Sequence, residues 1–181
     1  MIIEGFLEGK YVDLKPCTED DAEFTRDIRK DPEFVKYLPE IDNSIDQQKA
    51  WIKSQRAKDG DYFFVVWDKA GNRIGTVSVF DIVGKTGKTG RLALKGNALQ
   101  NIEAQYLSFD FAFNTLNIQG LWGFIYTENH RAIRFAQTFG VTIEDPKESD
   151  TGRSIREVWF YKNNFIKQVN TIHRMIYRER G

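Results

Sequence analysis

Cysteine is almost missing from this chain of 181 residues: Cys17 is the only one. It has no partner for an internal disulfide, gives no cysteine metal site, and suits a reducing cytoplasm. The two histidines, His130 and His173, lie far apart in sequence. Neither has a carboxylate or cysteine at ligand spacing, so no metal site is expected. An excess of charge of one sign is also missing, since 26 Lys and Arg balance 26 Asp and Glu. That balance argues against a general nucleic-acid or membrane-surface binder, which needs a basic surplus. No apolar run approaches the roughly 18 residues of a transmembrane helix. The opening Met-Ile-Ile-Glu-Gly-Phe-Leu-Glu-Gly mixes acids into its apolar residues, which a secretory signal does not do. Repeats, low-complexity tracts and linkers are lacking too, so one domain over residues 1–181 is expected.

What is present is a globular composition, 41% hydrophobic and 14% aromatic, enough to fill a full-sized core. Residues 10–15 predict a short strand ended by Pro16. Thr18 with Asp21 marks a helix start, and residues 18–30 read as a short amphipathic helix broken at Asp31-Pro32. Ser44 with Gln47 repeats the start signal for a helix to about residue 58, burying Ile45, Trp51 and Ile52. Residues 61–67 read as a buried strand, and Lys69-Ala70-Gly71-Asn72 as the hairpin turn into a strand over 73–81. Residues 84–90 read as a second turn leading into a strand over 91–95.

The centre of the chain follows. After a break at Gly96-Asn97, residues 98–116 place Leu99, Ile102, Tyr106, Phe109, Phe113 and Leu116 on one helical face. Asn97 and Gln100 form a candidate capping pair. Residues 121–126 are apolar on both faces, as in a strand covered on both sides. A helix over 129–139, a short strand near 142–144, a polar hairpin over 145–153 and a strand over 154–162 come next. A final helix over 164–178 turns Ile166, Val169, Ile172 and Ile176 inward and keeps the charges of residues 174–180 in solvent. A helix that starts directly off a buried strand points free N–H groups beyond that strand's end, which is an anion site.

The repeated Gly-Lys-Thr of residues 84–89 is not a phosphate loop. That cradle needs a glycine five residues before the glycine of the Gly-Lys pair, and those positions hold Val79 and Ile82.

The run from Glu128 to Phe135, Glu-Asn-His-Arg-Ala-Ile-Arg-Phe, closes at Phe139-Gly140-Val141. It resembles the "N-x-x-A/S … GF" signature of the GNAT superfamily of acyl-CoA N-acyltransferases. Glu103-Ala104 and residues 111–117, Phe-Ala-Phe-Asn-Thr-Leu-Asn, resemble a helix of its RimJ/RimL-like branch. The likeness runs from about residue 10 to residue 165. It implies an α/β (α+β) fold: a mixed, mostly antiparallel central sheet of six to seven strands flanked by helices, with an extra C-terminal helix.

The resemblance also implies a chemistry. Strands 91–95 and 121–126 would splay at their carboxyl ends and admit the pantetheine arm of acetyl-CoA, the co-substrate. The backbone of Leu92, Ala93, Leu94 and Lys95 would hold the acyl carbonyl and its oxyanion. The N–H groups of Leu99, Gln100, Asn101 and Ile102 would take the pyrophosphate. Asn129 would bond the pantetheine arm and Phe135 would line its tunnel. The glycines of the family's pyrophosphate loop are replaced here by residues 96–101, and Ala136 stands where many members carry a tyrosine acid. Strand 91–95 has no carboxylate, so Asp81 is the nearest candidate base, with Tyr126 and Glu128 behind it and an ordered water as the alternative.

Arg29, Tyr37 and Trp51 resemble acceptor-site residues of amino-sugar-nucleotide acetyltransferases, where an arginine meets a phosphate. The implied function is N-acetyl transfer from acetyl-CoA to a small-molecule amine, without nucleic acid or membrane. A protein N-terminal amine is the competing acceptor, and a GNAT-fold binding module without catalysis is the competing class. The aromatic content and final helix allow a homodimer.

Overall fold

The computed structural model describes residues 5–38 and 41–178. Eight strands form one sheet in the order β1-β2-β3-β4-β5-β6-β8-β7. These are β1 (Leu7–Glu8), β2 (Val12–Pro16), β3 (Tyr62–Asp68), β4 (Arg73–Val83), β5 (Thr86–Leu94), β6 (Gly120–Tyr126), β7 (Thr142–Glu148) and β8 (Ser154–Tyr161). The helices are α1 (Ala22–Asp27), α2 (Ile45–Ala57), α3 (Ala98–Asp110), α4 (His130–Gln137) and α5 (Lys162–Tyr177). All neighbouring strands pair antiparallel except β5 and β6.

β3 shows why the sequence folds as layers. Tyr62, Phe64 and Val66 pack with Ala104 of α3 and with Phe111, while Phe63, Val65 and Trp67 pack with Ala22 of α1 and Ile52 of α2. A strand covered on both faces needs an unbroken apolar run, and residues 62–67 supply it. The larger core lies around α3 and α5, where Phe109 meets Phe113, Phe139, Phe160 and Phe165 at ring-centroid distances of 4.7–5.9 Å.

Several sequence expectations need correction. The stretch 84–90 is not a turn, because β4 runs on to Val83 and β5 begins at Thr86. Only Gly84 and Lys85 turn, with Gly84 at φ +60°. β1 is an eighth strand beyond the six to seven expected. The helix over 98–116 is α-helical only to Asp110. Phe111–Thr115 then form a wider π-type turn, whose Leu116 N–H reaches back to the Phe111 carbonyl (3.0 Å). The 18–30 helix is three pieces, with single 3₁₀ turns on either side of α1. β7 extends to Glu148 through Pro146, which sits at a register shift of this edge strand, where a missing N–H is tolerated. α5 starts two residues early, and Phe165, not Ile166, takes the core position. Ile166 is half exposed. The charges assigned to residues 179 and 180 lie outside the described residues.

One buried carboxylate ties the N-terminal strands to the centre. Glu103 of α3, with 0% exposure, accepts N–H bonds from Lys10 (2.7 Å), Tyr11 (2.6 Å) and Val12 (2.9 Å). Among the described residues no helix is long and apolar enough to cross a membrane.

Candidate active site between diverging strands

β5 and β6 run parallel and pair only at Thr86–Gly120, Gly87–Leu121 and Lys88–Trp122. Beyond that point each strand keeps its outer neighbour. β5 pairs β4 at Ala93–Thr76 and Leu94–Gly75, and the Lys95 N–H bonds the Ile74 carbonyl (2.8 Å). β6 pairs β8 as far as Tyr126–Ile155. Their facing edges therefore open as a V, with Gly123 at its apex. A Cβ there would lie 2.9 Å from the Thr89 carbonyl oxygen.

A bulge in β5 marks the same place. Ser78 faces Gly90 and Thr76 faces Ala93, so Val77 opposes both Arg91 and Leu92, and Arg91 adopts φ +49°. A bulge bends its strand and raises the local twist, which turns residues 92–95 away from β6. The Arg91 carbonyl itself accepts from the Thr76 hydroxyl (2.7 Å).

α3 starts at the open end of β5. Its capping box is complete: the Gln100 N–H donates to Asn97 Oδ1 (3.1 Å) and the Asn97 N–H to Gln100 Oε1 (2.9 Å). The Asn101 N–H bonds the Asn97 carbonyl (3.0 Å), and the Ile102 N–H falls within the helical ladder. The expected set of four pyrophosphate donors thus shrinks. Gln100, Asn101 and Ile102 are committed within the helix, leaving Leu99 and its neighbour Ala98 as the first-turn N–H groups that helical geometry frees. Asn101 instead donates its side-chain amide to the Gly96 carbonyl (2.9 Å), shaping the turn into the helix. Asn129 caps α4, its side-chain oxygen accepting from the Ala132 N–H (3.1 Å). Phe135, one turn on, packs against both large core clusters and meets Phe139 edge-on.

None of the three candidate proton acceptors is idle. Asp81, at φ +48°, lies between Lys58 (2.6 Å) and Lys88 (3.0 Å). Those two ammonium groups hold its carboxyl below the usual range, so it takes up a proton weakly near neutrality. Lys88 also marks the last β5–β6 pair, which puts Asp81 at the closed end of the V. Glu128 is bonded by Arg153 (2.6 Å), which lowers it as well. Tyr126, the last residue of β6, lies under the same guanidinium, 3.5 Å from its ring centroid.

The segment 31–38 crosses the mouth of the V. Asp31 pairs Lys95 (2.5 Å), Glu33 pairs Arg131 of α4, the Lys36 carbonyl accepts from Arg153 (2.7 Å), and the ring of Tyr37 lies 6.3 Å from that of Tyr126. Tyr37 is thus held at the strand ends, apart from the other two acceptor candidates. Arg29 and Trp51 share a cavity of about 20 Å³, with Thr25, Gln48, Thr76 and Arg91 among its walls. Burial first, then the charge of Arg91, holds the Arg29 guanidinium below its ordinary value.

Arg91 and Asp61 were not foreseen as site residues. An arginine in the left-handed region has no sequence signal, and Asp61 reads as an ordinary strand flank. The two join in a bidentate pair (2.7 and 3.0 Å) beside the bulge.

Cys17 takes no part in the cleft. Its thiol is 1% exposed, and burial, then Asp21, raise it far above the ordinary thiol range. We expect no labelling by a thiol-disulfide reagent at pH 8 in the native protein and one equivalent after denaturation; rapid native labelling would contradict this placement.

Residues 12–142 match the model of the acetyltransferase (GNAT) domain family. The chain therefore belongs to the GNAT acetyltransferase family, and is an acyltransferase. No curated protein matches its sequence. Among solved structures, it resembles a GCN5-related N-acetyltransferase from Brucella melitensis, with TM-score 0.78, 18% identity, and 95% of this chain and 85% of that one covered. Spermidine N-acetyltransferase from Vibrio cholerae, solved with coenzyme A and spermine, gives TM-score 0.78 at 15% identity, covering 87% and 99%. FdhC, described as a nucleotide-linked sugar GNAT, gives 0.77 at 20%, covering 97% of each chain. These likenesses establish the mixed α/β GNAT fold.

Proposed function

We propose that this single-domain protein transfers an acetyl group from acetyl-CoA directly to a primary amine, with an amino-sugar nucleotide as the favoured acceptor. The observation that carries the reading is the V between β5 and β6, floored by a bulge and ending at the two free N–H groups of Ala98 and Leu99. The pantetheine arm adds to the open edge of β5 as an extra strand would, and the pyrophosphate meets those two N–H groups. Two donors in place of a glycine-rich loop imply weaker binding than a full cradle gives.

In the reaction the amine nitrogen attacks the thioester carbon, and the oxyanion is held by the Leu92 and Leu94 N–H groups, which face the open edge while those of Ala93 and Lys95 turn to β4. The C–S bond breaks, coenzyme A leaves as the thiolate and takes a proton from solvent, and the nitrogen loses one proton. With Asp81 and Glu128 both held by cations, an ordered water beside Tyr126 is the acceptor we favour for that proton. The nucleotide reading is supported by the likeness of Arg29, Tyr37 and Trp51 to acceptor residues of amino-sugar-nucleotide acetyltransferases and by the shared fold of a nucleotide-linked sugar GNAT. The cavity that Arg29 and Trp51 line is water-sized, so a phosphate would reach Arg29 only after it opens.

The test is a thermal shift with acetyl-CoA, coenzyme A and a nucleotide control, followed by a panel of amines. A ligand that binds only the native state raises its stability by about 2.7 kcal/mol at 100 times Kd. The expected result is a dose-dependent rise with acetyl-CoA and turnover fastest with amino-sugar nucleotides. Turnover only with peptide N-termini would move the acceptor to protein, and no shift at millimolar acetyl-CoA would leave a binding module.

A further inference from the structure

We infer that Arg91, anchored by Asp61, is a positioning residue that fixes the β5 bulge and with it the open backbone edge on which acyl transfer depends. The inference rests on the acetyl-transfer reading above for its chemical consequence, though not for its geometry.

Left-handed backbone strains a non-glycine residue and persists only where its surroundings over-determine it. Arg91 is held on every side. Its two terminal nitrogens donate to both oxygens of Asp61 (2.7 and 3.0 Å), to Ser78 Oγ (3.0 Å) and to Gln55 Oε1 (3.3 Å). Its guanidinium lies over the rings of Phe80 (4.3 Å), Trp51 (5.1 Å) and Phe63 (5.4 Å). The Asp61 side chain is 0% exposed and that of Arg91 only 16%. Ser78, between them on β4, donates in turn to the Tyr62 carbonyl (3.0 Å). The side chain thus crosses from β5 over β4 to the start of β3, staking the bulge to a rigid part of the sheet.

The consequence lies in the register. If the bulge were lost and the strand slipped by one residue, Leu92, Ala93 and Leu94 would exchange faces, because side chains alternate along a strand. Ala93 and Leu94 are buried and Leu92 half-buried, so the open edge facing β6 is aligned only with the bulge at Arg91. A lysine keeps the charge but loses the fork that matches a carboxylate. A glycine accepts φ +49° without strain and removes the anchor altogether.

Arg91→Lys, Arg91→Gly and Asp61→Asn are compared with Gln55→Ala, a milder variant that removes only the outermost contact. Amide exchange over residues 89–95 needs no substrate. It should quicken at least tenfold in the first three and less in Gln55→Ala, with α5 unchanged. In steady state, kcat should fall ten- to a hundredfold in those that fold, with KM for acetyl-CoA within about threefold. For Gln55→Ala the expected fall in kcat is two- to fivefold. Unchanged exchange at 89–95, or full kcat in Arg91→Gly, would overturn the inference by making the pair a structural tie only. A wild type that transfers no acetyl group but shows the exchange pattern would overturn the acetyl-transfer reading and leave the anchor standing.

Discussion

Replacing Glu103 with alanine should lower the melting temperature by about 6–12 °C, the equivalent of roughly 3 kcal/mol in a domain of this size. The carboxylate is wholly buried and accepts three backbone N–H bonds, from Lys10, Tyr11 and Val12. Charge-assisted bonds to a carboxylate are about twice as strong as neutral ones, and orphaned buried donors cost about 1–3 kcal/mol each. The three do not add, because the freed turn can shift and hydrate some of its donors. Space beside the carboxylate is reserved as well: a Cβ on Gly9 would lie 2.6 Å from the Val12 carbonyl and 2.7 Å from Glu103 Cδ. Glu103→Gln keeps the shape but turns one acceptor into a donor facing N–H groups, so it should lose about half as much. Thermal unfolding checks the series. A shift under 2 °C for the alanine variant would mean that the N-terminal turn is held by its own β1–β2 pairing.

Glu103 shows where the sequence was legible and where it stopped. Its pairing with Ala104 was recognised only as part of a family pattern; what the carboxylate does depends on contacts more than 90 residues away, which no local pattern records. The order of elements from β2 to α5 was readable because apolar periodicity and capping chemistry are local. Both Ser44–Gln47 and Asn97–Gln100 close as capping boxes. The Gly-Lys-Thr repeat misled because its glycines read as a turn. Yet Thr86 and Thr89 favour a strand, and the sheet pairs the whole stretch.

The site was legible in outline only. The V follows from likeness and the helix start from its capping pair, and that same capping box consumes one of the N–H groups assigned to phosphate. In the sequence Asp81 stands out only as an acid near the right strand. The lysines that lower its affinity for protons come from the C-cap of α2 and from β5, and Lys58 is 23 residues away in sequence. Tyr37 was grouped with Arg29 and Trp51 by likeness, whereas the 31–38 segment carries it across to β6.

Gly123→Val should abolish the acetyl-CoA thermal shift and reduce acetyl transfer by roughly 100-fold, since a displacement of about 1 Å in a reacting group costs that much. Gly123 follows the last β5–β6 pair, and even a methyl group there would come within 2.9 Å of the Thr89 carbonyl oxygen. Both atoms belong to backbone fixed by other pairing, Gly123 to Val158 of β8 and Thr89 to Val79 of β4. Neither strand can yield alone, so a branched side chain either pries the V wider at its apex or fills the space that the proposed function gives to the thioester. Leu121 and Ile125, which share the face of Gly123, pack into the large core and limit any sliding of β6. Gly120→Ala is the matched control on the same strand. Its added Cβ would meet nothing nearer than 3.5 Å, an ordinary contact with the Tyr161 ring. Binding and turnover should stay within twofold of wild type in Gly120→Ala and fall in Gly123→Ala to a level between wild type and valine. Equal activity in all three would show that the acyl group does not lie at the apex where β5 and β6 part.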